Sequence, residues 1–177
     1  MTPSHQTDTL IQLFNQTFSN LRNTRLVCCE PEPIYRPADK ECDYHRIIFA
    51  HGFFASALHE IAHWCVAGPQ RRLREDFGYW YEPDGRSEER QLEFEKVEVK
   101  PQALEWIFSR SAHFNFHFSA DNLEADTRPS DDFQQAVLQQ VRDYLNHGLP
   151  DDAGRWSQTL LQHYRAGQPL QMAEFHL

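Results

Sequence analysis

The chain has 177 residues, a length at which one domain is expected to bury a core without needing disulfide staples. Apolar residues make up 40% and aromatics 13%, which excludes a disordered chain. A net charge of −9 argues against nucleic acid or an anionic membrane as the main partner. It is compatible with a cationic substrate group, although such a charge more often serves solubility.

Taken in order, Thr7 or Asp8 is placed to cap a first helix carrying Leu10, Leu13, Phe14, Phe18 and Leu21 at helical spacing. Arg25 to Cys29 reads as a short strand. Pro31, Pro33 and Pro37 then exclude helix and hold an extended loop through Tyr35. His45 to Ala50 is a compact apolar run, read as a buried strand. Gly52 allows a sharp turn into a helix that Gly68 and Pro69 end. Arg71, Arg72 and Arg74 read as a solvated basic face. Phe77 to Tyr81 predicts a strand, closed by the turn Pro83-Asp84-Gly85. From Ser87 a long helix is expected through Phe94, Leu104 and Phe108, with Pro101 kinking or breaking it near residue 100. Phe114 to Phe118 alternates with period two and predicts a half-buried strand. Ser130 caps a helix that Gly148 ends, and Asp151 or Asp152 starts a last one that Gly167 ends. The tail from Pro169 is expected to be loosely held.

Cys28, Cys29, Cys42 and Cys65 show no CxxC pairing, which argues against a zinc ribbon. With a polar N-terminus and no apolar run able to span a bilayer, reduced thiols in a cytoplasmic protein are expected.

The chemistry gathers at His59-Glu60-Ile61-Ala62-His63, an HExxH pattern. On a helix, residues four apart share one face, so His59 and His63 can aim two imidazoles at one ion while Glu60 points toward where a bound water would sit. The bland alternative is a pair of core histidines satisfied by backbone carbonyls. Against it, the apolar neighbours Leu58, Ile61, Ala62 and Trp64 leave the imidazoles few other partners. A third ligand is sought on the following long helix, where Glu95 and Glu98 are the candidates. Glu98 is preferred because Val97 and Val99 flank it. Gln102, four residues on, is a candidate partner for the neighbouring carboxylate, and Glu95 is a ligand or a supporting group one turn earlier. His113 and His117 are ranked as structural or substrate-side residues. Two imidazoles and a carboxylate suit zinc for hydrolysis, with Glu60 taking a proton from water, and equally suit iron(II) for dioxygen chemistry. On the motif alone, a zinc peptidase is the commoner outcome.

A wider set of segments carries a resemblance. They include Glu32-Pro33-Ile34-Tyr35, Phe49-Ala50-His51-Gly52-Phe53, His59-Glu60, His63-Trp64-Cys65, Asp76-Phe77-Gly78-Tyr79-Trp80-Tyr81, Pro83-Asp84-Gly85-Arg86, Val97 to Leu104 and Asp121-Asn122-Leu123-Glu124. Over nearly its whole length the chain resembles the gamma-proteobacterial elongation factor P hydroxylase family. The resemblance implies addition of one hydroxyl to a β-lysylated lysine of elongation factor P by a two-histidine, one-carboxylate metal site. His59, His63 and Glu98 match that set. It further implies iron(II), with zinc or cobalt able to substitute, and dioxygen as co-substrate; no 2-oxoglutarate requirement is implied. Under it, Glu60 becomes a catalytic candidate, and Tyr79, Trp80 and Tyr81 become candidates to wall the channel for the lysyl arm, aromatic core packing being the alternative.

The expected fold is α+β and mostly helical: one domain, 1–177, with a zincin-like core of an HExxH helix, a second ligand-bearing helix and a small sheet. Elongation factor P is the expected partner, with no nucleic acid and no membrane. A zinc peptidase, or a non-catalytic module with a structural metal or none, is the competing reading.

Overall fold

A computed structural model describes residues 4–75, 88–119 and 129–177. Among these residues the order is α1 (Thr7–Arg22), β1 (Thr24–Glu30), β2 (Ile34–Arg36), β3 (His45–Ala50), α2 (Phe54–Val66), α3 (Glu88–Ser111), α4 (Asp131–His147) and α5 (Asp151–Arg165). Short 3-10 turns lie at Arg71–Leu73 and Met172–Glu174. The architecture is therefore α+β and mostly helical with a small sheet. The expected strand at Phe77 to Tyr81, its turn at Pro83-Asp84-Gly85 and the helix start at Ser87 fall outside the described residues, as does Asp121-Asn122-Leu123-Glu124.

Helix α1 buries Leu10, Phe14 and Phe18 completely, a stripe at i, i+4 and i+8. Full burial of such a side chain contributes about 2–3 kcal/mol. Thr7 does not cap the helix; its hydroxyl donates to the Gly52 carbonyl at 2.8 Å and ties α1 to the turn before α2. Asn23, in the left-handed region at φ 47°, ends the helix.

The sheet has the order β1-β3-β2, with β3 parallel to β1 and antiparallel to β2. As the central strand, β3 buries four consecutive residues, Ile47 to Ala50, which explains its unbroken apolar run. Within the proline-rich loop, Ile34–Arg36 is short and lies at the sheet edge between Pro33 and Pro37, where missing N–H donors do no harm. Cys28 and Cys29 lie next to each other in β1 with their sulfur atoms in contact, while Cys42 and Cys65 stand apart from them.

Between β3 and α2, His51 and Gly52 take φ of 56° and 71°. Glycine suits this reversal twice over, because a Cβ at residue 52 would also stand 3.3 Å from the Cys29 Sγ. Helix α2 then runs through the middle of the molecule against β3, α1, α3 and α5, burying Ala57, Leu58, Ile61 and Ala62 completely. Trp64, near its end, packs against Phe14 and Phe18 with ring centroids 5.5 and 5.0 Å away. Arg72 is not part of a solvated face. Its guanidinium lies 3.8 Å from the Trp64 ring centroid, donates to the Trp64 carbonyl and pairs with Asp152 at 2.8 Å. Arg22 pairs with the same carboxylate at 3.0 Å, so Asp152 joins α1 and the 3-10 turn to α5 instead of capping α5.

Helix α3 is not broken at Pro101. Proline forfeits a hydrogen bond at a cost of about 3 kcal/mol, but the next two turns bury Ala103, Leu104, Ile107 and Phe108 completely, which offsets it. Phe114 to Phe118 is not a strand among the described residues, although its alternation is real: the three phenylalanines turn inward and Asn115 and His117 face out. Period two reports extended backbone, and among the described residues no neighbouring edge completes a ladder there. Ser130 caps α4 by accepting from the Phe133 N–H at 3.1 Å. The tail is anchored, contrary to expectation. Arg165 pairs with Glu174 at 2.7 Å, and Phe175, 3% exposed, sits 5.5 Å from Trp106.

Candidate metal centre

Helix α2 needs an apolar face toward α1 and the sheet, and its remaining face toward α3 carries the histidines. One turn separates His59 from His63, and their Nε2 atoms lie 3.0 Å apart. From α3, the Glu98 carboxylate meets them: Oε1 is 2.9 Å from His63 Nε2 and Oε2 is 3.7 Å from His59 Nε2. One donor atom from each of the three residues lies within 4.8 Å of the other two. Donors holding one first-row ion at about 2.1 Å stand roughly 3 Å apart, so the spacing fits an ion without rearrangement. Glu98 is 3% exposed and His63 is 9% exposed, while His59 is more open.

Electrostatics explain how these groups share a buried site. Burial by itself would push both imidazoles down. For His59 the Glu105, Glu98 and Glu60 carboxylates outweigh it and hold the ring well above its usual value of 6.5. His63 is raised as well, by Glu98 and Glu60 against burial and the charge of His59. Burial would raise Glu98, yet the two imidazoles and the Gln102 amide bring it from 4.5 down to about 2. Glu98 and the imidazoles thus favour each other's charged forms, while the two imidazoles oppose each other's.

The remaining residues singled out from the sequence distribute as follows. Gln102 donates to Glu98 Oε2 at 3.4 Å and to the Ser119 carbonyl at 2.7 Å, and accepts from the Ser119 N–H at 3.2 Å. It thereby links the extended segment after α3 to the Glu98 carboxylate. Glu95 does not reach the imidazoles with a hydrogen bond; its carboxylate accepts from the Ser130 hydroxyl at 2.8 Å and backbone N–H at 3.3 Å, at the start of α4. Glu60 is half-buried and near enough to act electrostatically on both histidines. His113 and His117 are exposed on the segment after α3. Tyr79, Trp80 and Tyr81 fall outside the described residues.

One residue escaped the sequence reading. Glu105, 8% exposed, takes the other nitrogen of His59, with Nδ1 and Oε2 2.7 Å apart. The available signal was a polar series at i, i+4 and i+7, Glu98, Gln102 and Glu105, whose last member stands within the apolar run Ala103 to Phe108.

Comparison with known proteins gives a consistent result. Residues 13–175 match the family model described as elongation factor P hydroxylase. A protein of Haemophilus influenzae named elongation factor P lysine hydroxylase is 53% identical over 171 residues, which cover 97% of this chain and 96% of that protein. The chain belongs to the elongation factor P hydroxylase family.

Proposed function

We propose that this chain is a single metal-dependent hydroxylase domain, residues 1–177, that adds one hydroxyl to the β-lysylated lysine of elongation factor P. The observation that carries the reading is the convergence of His59, His63 and Glu98 in a member of this family. Iron(II) held by these three donors would supply the dioxygen chemistry that places oxygen on a C–H bond. Zinc or cobalt suits the same donors, and no 2-oxoglutarate requirement follows from them. With both imidazoles on α2 and the carboxylate on α3, the core is read as zincin-like.

The other roles belong to the protein itself. Neutral imidazoles are required of His59 and His63 as ligands, so an ion must displace the protons that the surrounding carboxylates favour. Gln102 keeps the Glu98 carboxylate oriented toward α2. Glu60 holds or relays a proton at the open side of the site. The chain's net charge of −9 is compatible with the ammonium groups of a lysyl arm. Tyr79, Trp80 and Tyr81 are offered as the aromatic walls of its path on their sequence pattern alone. The proposed setting is the cytoplasm; among the described residues no helix is long and apolar enough to cross a membrane.

The deciding experiment is the intact mass of β-lysylated elongation factor P after incubation with the protein, iron(II), reductant and oxygen. A gain of one oxygen atom is expected, and none with Glu98→Gln. An unchanged mass with the metal-loaded wild type refutes the activity. Peptide cleavage in zinc alone would favour the peptidase reading. Glu60→Gln should impair turnover more than metal content, and unaltered hydroxylation would dismiss its role.

A further inference from the structure

Glu105 lies on the same face of α3 as Glu98, seven residues or two turns later, with Gln102 between them. Its neighbours Leu104, Ile107 and Phe108 are completely buried and Trp106 nearly so, and a carboxylate in such company is costly unless something compensates it. The compensation is His59, whose Nδ1 stands 2.7 Å from Oε2. An ionised carboxylate only accepts hydrogen bonds, so this contact requires the hydrogen on Nδ1. In the neutral ring that leaves the Nε2 lone pair directed at His63 and Glu98. The Nε2 of His59 is 3.0 Å from that of His63 and 3.7 Å from Glu98 Oε2, which is where a shared ion would need it.

We infer that Glu105 is a positioning residue for metal binding: it fixes the tautomer and ring orientation of His59 and so raises the affinity of the three-donor site for a divalent cation. The inference rests on the metal reading of His59, His63 and Glu98. Carboxylate–imidazole–metal series of this kind raise ligand basicity, and loss of the outer carboxylate typically costs about 10–100-fold in metal affinity. The alternative is a purely structural ion pair between Glu105 and a protonated His59. The two differ in what they move. A structural pair changes the stability of the metal-free protein, whereas a positioning group changes affinity and the ligand field at the ion.

The test uses full-length wild type, Glu105→Gln, Glu105→Leu, Glu105→Asp and, as a control, Glu98→Gln. Cobalt(II) affinity is measured by competition with a chromophoric chelator, together with the visible absorption of the bound cobalt and the melting temperature of the metal-free protein. Glu105→Leu is expected to lose about 10–100-fold in affinity with an altered cobalt spectrum, Glu105→Gln to lose less because its amide oxygen still accepts, and Glu105→Asp to recover part of the loss. Wild-type affinity and spectrum in folded Glu105→Leu or Glu105→Gln would overturn the positioning role while leaving the metal site standing. Cobalt binding that is absent in wild type, or unchanged in Glu98→Gln, would bring down the metal reading and this inference with it.

Discussion

Glu98→Gln isolates the charge on the residue that joins α3 to the histidines. The swap keeps shape and the ability to accept a hydrogen bond, so packing around a side chain that is 3% exposed is preserved. Breaking a buried ion pair commonly costs 3–5 kcal/mol, because the partner charge is stranded. Here the partners are histidines, which can release their protons near neutral pH, so the cost at pH 7 is capped at about 1–2 kcal/mol. For a domain of this size that lowers the melting temperature of the metal-free protein by roughly 2–8 °C. The effect on metal linkage is larger. An ion at 100 times its dissociation constant stabilises the wild type by about 2.7 kcal/mol, or roughly 5–11 °C. If the variant binds about 100-fold more weakly, the same concentration contributes about 0.4 kcal/mol, a shift of only 1–2 °C. Thermal unfolding of both proteins with chelator and with matched cobalt(II) reads both numbers. An equal metal-dependent shift in Glu98→Gln would refute the assignment of this carboxylate as a ligand.

Further outcomes follow from the same structure. In metal-free protein, the raised His59 and His63 contribute stability that is fully present below pH 6.5 and is lost as pH rises through their folded values. Glu98, lowered to about 2, contributes stability present above pH 4.5 and lost as pH falls toward 2. Denaturant unfolding with chelator should therefore show this contribution at its height between pH 4.5 and 6.5; a steady rise from pH 5 to 8 would contradict it. The increment from added metal should run the other way and grow with pH, because an ion needs neutral imidazoles. Asp152→Asn strands Arg22 and Arg72, which cannot deprotonate, and should cost about 3 kcal/mol, moderated where Arg22 reaches solvent. A loss under about 0.5 kcal/mol in urea titration would show that solvent or another acceptor replaces the carboxylate. Gly52→Ala meets both the positive φ and the Cys29 sulfur at 3.3 Å, and should cost about 1–2 kcal/mol and weaken metal affinity by shifting the start of α2. Wild-type stability and affinity in that variant would show that the turn does not set the helix position.

Much of the helical frame was legible because its cause is local. The apolar stripe of α1, the Ser130 cap and the Gly148 and Gly167 stops are written within a few residues of where they act. So was the pairing of His59 and His63, since a four-residue spacing on a helix brings two side chains together whatever surrounds them. The three-residue edge strand β2 was less legible, because its residues reveal extended backbone and only β3 beside them makes it a strand. Phe114 to Phe118 is the reverse case, with the right period and no partner edge among the described residues.

Charged side chains were the hardest to read, for one physical reason. What a carboxylate or guanidinium does depends on which opposite charge the fold brings within 3 Å. Arg72 resembled part of a surface face and Asp152 no more than a helix start until packing of α1, α2 and α5 put them together. Glu95 and Glu98 stand one turn apart on the same helix, with one bonding Ser130 and the other the histidines. The amino-acid order alone determines that two imidazoles share a helix face. Only the crossing of α3 over α2 decides that Glu98 meets their Nε2 atoms and that Glu105 takes the far side of His59, because contacts between helices depend on packing that no local pattern encodes.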